Sequence, residues 1–244
     1  MKRTLCLLLA AFAANASAAP STSWVEFSYG ELDREWAQTP YDKGEGTEIN
    51  LAAAYASSST GYWRLDARRL SHEADVEPMQ VGDQAVPGFF ITPDTEIDPA
   101  AWTRAFERNI QTLTAGLRSP MNSGVDLIGE IGVVRVSVES DTLAVSTGPA
   151  SSGEVERIAV YTSEHKQSGA VGRLGIIAED GSIGWGATME WFNKMPTGFL
   201  NETDSVRWWN AYIGYNFSPS LSLRLRYADT DDFTSKGVSL RWTL

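Results

Sequence analysis

Along most of the chain, apolar and polar residues alternate one for one. In YNFSPSLSLRLRYAD, Leu221, Leu223, Leu225 and Tyr227 share one phase, and Ser222, Arg224, Arg226 and Ala228 share the other. A period of two is the mark of a β-strand with one apolar and one polar face. The same alternation recurs in Val25-Phe27-Tyr29, Ile49-Leu51-Ala53-Tyr55 and Trp63-Leu65-Ala67, and again in Leu113-Ala115-Leu117 and Val125-Leu127-Ile131-Val133. It returns in Ile183-Trp185-Ala187-Met189-Trp191, Trp209-Ala211-Ile213-Tyr215-Phe217 and Val238-Leu240-Trp242-Leu244. ERIAVYT and GRLGIIA are shorter and less regular. The segment WTRAFERNIQTL (102–113) has a competing helical reading.

These runs are about 8 to 12 residues long. A tilted membrane strand needs about 9 to 11, whereas strands of soluble proteins peak near 5 or 6. Short turns, SSSTG, SPMNSG, EDGS and SPS, separate them on one side. On the other side lie longer polar stretches at 32–46, 72–104, 193–204 and 229–235. The pattern predicts an all-β fold: a closed antiparallel transmembrane β-barrel with short periplasmic turns and longer extracellular loops. Eleven strands are read directly. Bacterial barrels use even numbers, so twelve are favoured, with DTLAVSTG (141–148) as the added strand, and ten is the alternative. AVPGFFITP (85–93) is a second candidate, but its prolines favour a loop or a lumen insert.

The chain opens MKRTLCLLLAAFAANASAAP. A short basic start, an apolar run over 4–13 and Ala16-Ser17-Ala18 read as a signal peptide, residues 1–18, leaving a barrel domain over 19–244. The apolar run is too short to span a bilayer. Cleavage removes the single cysteine, Cys6, so no disulfide or thiolate metal site is expected in the remainder. It also removes Lys2 and Arg3, moving the formal net charge from −11 to −13, a balance that argues against nucleic acid as a partner. No later apolar run is long enough for a transmembrane helix, and a mean hydropathy of −0.21 does not count against barrel strands, which average out.

The polar phase holds the candidate chemistry. Glu26, Arg64, Asp66, Arg68, Glu130, Arg173, Glu190, Arg224, Arg226 and Arg241 all oppose the apolar face and would line the lumen of a barrel. Closure would bring Glu26 on the first strand within reach of Arg241 on the last. Gly175, Gly184, Gly186 and Gly214 thin the inner wall, and aromatic residues near strand ends, Trp24, Trp63, Trp191, Phe217, Tyr227 and Trp242, suit the two membrane interfaces. No catalytic site is expected: His72, between Ser71 and Glu73, and His165 lie in no recognisable acid–base arrangement. No metal site or cofactor is expected either, since the acidic stretches PDTEID (93–98) and DTDDF (229–233) lack EF-hand spacing.

A leading signal, amphipathic strands, SPS-type turns and an aromatic-rich last strand together resemble the small Gram-negative outer-membrane β-barrels. The resemblance implies location in the cell outer membrane, contact with its lipid and lipopolysaccharide, and recognition of the C-terminal strand by the barrel-assembly machinery. That family usually ends in Phe or Trp, whereas this chain ends in Leu244, with Trp242 two places before it. The expected function is a narrow porin-like channel for small solutes, with the lumen arginines favouring anions. The alternatives are a structural or adhesive barrel with a charge-plugged lumen, and a soluble periplasmic lipocalin-like binding barrel with its apolar face inside.

Overall fold

The computed structural model describes residues 23–35, 43–75, 84–86, 89–90, 96–97, 103–121, 124–150, 153–179, 181–196, 203–230 and 233–244. The expected signal segment, Asp231 and Asp232 of the acidic stretch DTDDF, and most of PDTEID lie outside them. Ten long strands follow one another: β1 (Trp24–Glu35), β2 (Lys43–Ala56), β3 (Gly61–Asp75), β4 (Thr103–Pro120) and β5 (Asp126–Ala150). The second half comprises β6 (Gly153–Ala178), β7 (Ile183–Pro196), β8 (Thr203–Ser218), β9 (Leu221–Thr230) and β10 (Phe233–Thr243). Each pairs antiparallel with its sequence neighbours, and β10 pairs with β1 from Trp24↔Thr243 to Arg34↔Phe233. The sheet therefore closes on itself, while above Val171, where the β6–β7 ladder stops, β5 and β6 run on as a pair with Glu96–Ile97 added on the β5 side. Backbone bonds from Leu244 N to Ser23 O (2.9 Å) and from Thr243 N to Ser220 O (2.9 Å) fasten the last strand to its neighbours.

Ten strands correct the favoured twelve. DTLAVSTG is not a strand of its own but the continuation of β5, and ERIAVYT and GRLGIIA are one strand, β6, paired with β5 in unbroken register from Asp126↔Ile177 to Ala150↔Gly153. WTRAFERNIQTL is strand from Thr103 onward, because it pairs with both β3 and β5. In and just before AVPGFFITP the described residues form a short two-stranded ladder, Gln84–Val86 with Phe89–Phe90, separate from the barrel sheet.

Ser23, Leu244 and the short turns share one rim. Ser57 and Ser58 turn the chain by donating backbone N–H bonds to Gly61 O, and Gly181 turns β6 into β7 with a φ of 98°, a conformation that suits a residue without Cβ. At the other rim several strands run on through stretches that read as loops. β5 and β6 reach 25 and 26 residues, about 80 Å if fully extended at about 3.3 Å per residue, well beyond a bilayer core of about 30 Å.

The faces are inside out relative to a soluble protein. Leu223, Leu225, Leu240, Ile131, Val133, Ile213 and Leu117 point outward and are exposed, while Glu130, Arg173, Glu190, Asp66 and Thr114 are buried. This is the reverse of what a lipocalin-like barrel requires, and it is the polarity of a wall facing lipid. Outward aromatic rings gather at the turn-side rim (Trp63, Phe217, Trp242) and again farther up (Tyr29, Trp209, Tyr227). From Phe217 to Trp209 is eight residues, roughly 26 Å along the strand, or about 20 Å of height at a tilt of about 40°, comparable with an apolar band of about 25 Å. Above it the outward positions turn polar at Arg69, Gln111, Arg135, Arg207 and Lys236, all exposed. Trp24 corrects the girdle reading. It shares the phase of Glu26 and lies inside the barrel, beneath the Arg241 guanidinium at 4.0 Å.

Candidate functional site: the barrel interior

All ten residues of the polar phase sit inside the barrel, and their side chains form two layers. The middle layer is built on Arg173 of β6. Its guanidinium contacts Glu130 (2.5 Å), Glu190 and Asp66 (3.6 Å), with every partner side chain almost fully buried. Arg64 makes two bonds to Asp66 at 2.8 Å. Arg68 reaches Glu48 (3.5 Å) and, across the bore, Glu190 (3.4 Å). Tyr62 donates to the other oxygen of Glu130, while Thr114 and Thr112 add bonds to the Glu130 and Asp66 oxygens that Arg173 and Arg64 already hold. Buried charges persist only when paired and hydrogen-bonded, and the charges of this layer are paired by residues from six strands, with Arg68 Nε left without a hydrogen bond.

The second layer lies at the turn-side mouth. Arg241 of β10 donates to Glu26 of β1 at 2.6 Å, the pair that strand register places opposite each other. Arg224 and Arg226 come within 3.8 and 4.0 Å of the same Glu26 carboxylate. Glu179, in the β6–β7 turn, folds back into the mouth and accepts from Tyr212 (2.9 Å), Arg224 (2.9 Å) and Arg241 (2.7 Å). Burial works to raise its pKa, but the nearby Arg241 and Arg224, with Tyr212 and Arg118, outweigh this and hold it down to about 2. Arg118 adds an ion pair with Asp126.

A third layer closes the bore at the other rim. Leu32, Leu70, Ile110, Val134, Val136, Val171, Phe192, Met195, Val206, Trp208 and Phe233 are buried together, drawn from eight of the ten strands. The Trp208 indole meets Phe192 and Phe233 edge-on, at 5.6 and 5.2 Å, and carries the Arg68 guanidinium 4.0 Å away. Because Arg68 stands on β3 and Trp208 on β8, this contact crosses the lumen. Apolar burial on the inner wall is worth about 25 cal/mol per Å², and this cluster lines the inner wall with apolar groups at that height.

Below the plug a cavity of about 90 Å³ remains among Trp24, Tyr62, Arg64, Tyr212 and Arg241, and the mouth beneath it holds about 490 Å³. The inner-wall glycines do not widen it. A Cβ on Gly116 would stand 2.5 Å from the Tyr62 ring, one on Gly186 2.5 Å from the Tyr212 ring, and one on Gly214 2.6 Å from the Arg224 stem. In each case the glycine is the register partner of the large side chain laid over it. Glycine here makes room for filling, not for flow.

Alternation places Trp24 and Tyr212 on the polar phase, so only the girdle reading misplaces Trp24, while the expected lumen set lacks Glu179, Tyr62, Tyr212 and Arg118. Glu179 carries no period because it belongs to a turn. The expected preference for anions does not follow from the two layers taken together: seven guanidiniums (Arg64, Arg68, Arg118, Arg173, Arg224, Arg226, Arg241) meet seven carboxylates (Glu26, Glu48, Asp66, Asp126, Glu130, Glu179, Glu190). His72 is buried on the inner face beside Phe106, ring centroids 6.3 Å apart, while Ser71 occupies the opposite phase of the strand, so the two do not form a catalytic pair.

No family model matches the chain, and no curated protein matches it. Among solved structures it is similar to the translocator domain of autotransporter NalP from Neisseria meningitidis, at 11% identity over 100% of this chain and 96% of that one, TM-score 0.47. It is also similar to the outer membrane protease OmpT from Escherichia coli, at 9% identity over 94% and 100%, TM-score 0.49. A third likeness is to the outer membrane protein OprG from Pseudomonas aeruginosa, at 12% identity over 93% and 99%, TM-score 0.43. The closure of this barrel rests on its own strand register.

Proposed function

We propose that the protein is an outer-membrane β-barrel whose lumen is shut at rest, a structural or adhesive barrel and not an open porin-like pore. One observation carries this reading: eleven buried apolar side chains drawn from eight strands pack together above a layer of paired charges. The exposed apolar band supports a place in lipid. An outer membrane suits a barrel whose short turns share a rim with the start of β1 and the end of β10, with lipopolysaccharide around its far rim and the C-terminal strand engaged by the barrel-assembly machinery. The long β5–β6 hairpin then projects past the membrane and offers the surface on which an adhesive or structural role would act.

The cavity at the turn-side mouth favours a second reading, a narrow channel gated by the apolar plug. Planar-bilayer recording separates the two. The wild-type chain is expected to be silent, and Phe192→Ala with Trp208→Ala to open small steady currents. Steady conductance by the wild type would restore the porin-like channel. Enrichment in the outer-membrane fraction, with a mobility shift between boiled and unboiled samples, tests location and closure.

A further inference from the structure

The turn-side mouth has a construction that the closed lumen does not require. Arg224 and Arg241, on adjacent strands, and the Tyr212 hydroxyl all point at one oxygen of Glu179, while Arg118 of β4 lies 3.8 Å from the other. Glu179 does not belong to the wall. It is carried by the β6–β7 turn, which is held in place by Asn216 donating to the carbonyls of Glu179 (3.4 Å) and Gly181 (2.7 Å).

The cations, by contrast, are fixed. Arg241 lies over Trp24 at 4.0 Å and Arg224 over Tyr212 at 4.3 Å. Arg224 is 4% exposed, and its Nη1 has no hydrogen-bond partner, although it lines the mouth. Among the described residues, charge is also unequal at this level. Four guanidiniums, Arg118, Arg224, Arg226 and Arg241, face three carboxylates, Glu26, Asp126 and Glu179, whereas the middle layer has the opposite imbalance. A preorganised, desolvated arginine cluster binds carboxylates strongly and with defined geometry.

We propose that this mouth is a binding site for a small-molecule carboxylate entering from the turn side, and that Glu179 is its built-in competitor. A ligand carboxylate would take the position of the Glu179 oxygens between Arg224, Arg241 and Tyr212, and the turn would swing its own carboxylate into the open mouth. The site rests on barrel geometry alone and stands whether or not the plug ever opens.

The test uses the full chain refolded in detergent, with propionate as the probe, inorganic phosphate as the comparison and sodium chloride to match ionic strength. Tryptophan fluorescence reads the site through Trp24. In Glu179→Ala, propionate is expected to give a saturable signal with at least tenfold tighter binding than in the wild type. Glu179→Gln, which keeps the turn but loses the charge, should fall between them. The signal should vanish when Trp24→Phe or Arg224→Gln is added. Phosphate binding more tightly than propionate would overturn the carboxylate assignment. Equal affinity in wild type and Glu179→Ala would overturn the role of Glu179 as competitor. A response matched by chloride, or none in both Glu179 variants while each still migrates as a heat-modifiable barrel, would overturn the site. If Glu179→Ala fails to fold, the comparison of Glu179→Gln with the wild type decides between the same outcomes.

Discussion

Replacing Arg173 by Met keeps most of the side-chain stem and removes one guanidinium from the centre of the barrel. In the structure that group holds Glu130 at 2.5 Å, contacts Glu190 and lies 3.6 Å from Asp66, all three almost fully buried. The variant leaves four carboxylates, Glu48, Asp66, Glu130 and Glu190, facing only Arg64 and Arg68. Removing one partner of a buried pair costs about 3–5 kcal/mol, because the charge left behind has lost both water and counter-ion. We expect a loss of that size at pH 7 in urea unfolding of the refolded barrel, followed by tryptophan fluorescence and by gel migration without boiling. Adding Glu190→Gln should return part of it, with a coupling of about 1–3 kcal/mol between the two sites. A loss under about 1 kcal/mol, with the double variant additive, would mean that the carboxylates are well hydrated. The middle layer would then be wet, and the closed-lumen reading would lose its lower half.

Leu225→Arg should cost about 2–4 kcal/mol in vesicles if the outward face meets lipid; a neutral effect would place that face in water. Gly186→Val, on the inner wall, should displace the Tyr212 ring laid over it and weaken its bond to Glu179, read as a drop in unfolding midpoint that Tyr212→Ala partly relieves. Glu179 has a pKa held down to about 2 against about 4.5 unfolded, so its contribution to stability is present above 4.5 and fades as pH falls from there toward 2. In Glu179→Gln that acid-side decline should be shallower, and an unchanged pH profile would show that the carboxylate is not held by the arginines.

What was legible in the sequence depends on how uniform the surroundings of a strand are along its length. β9 passes through one environment on each face, lipid outside and charge inside, and Leu223, Arg224, Leu225 and Arg226 report it residue by residue. The same holds at the seam, where Glu26 and Arg241 meet across β1 and β10. β5 passes through two environments on its inner face: Glu130 belongs to the charge layer, and Val134 and Val136 to the plug. In IGVVRVSV the two phases are then both apolar near Val133 and Val134, and the period fades although the strand continues. β6 loses its period at the same height, where Val171 enters the plug two residues from Arg173, so one strand reads as two.

That loss of period is itself informative. In a barrel wall the outer face is set by the membrane and the inner face by whatever fills the bore, so an apolar residue on the polar phase marks a change of filling. Leu32, Leu70, Ile110, Val134 and Trp208 each lie on the phase of the lumen charges, and each is next to the position where the outward series ends or one step beyond it: Leu70 beside Arg69, Ile110 beside Gln111, Val134 beside Arg135, Trp208 beside Arg207. The plug therefore sits level with the upper limit of the apolar band, where a bore filled only with paired charges would otherwise open to water. Strong pairing needs a low dielectric, and an apolar cap at that height keeps water off Arg173 and Arg68 from above. The plug and the charge layer thus depend on each other, and opening one should loosen the other.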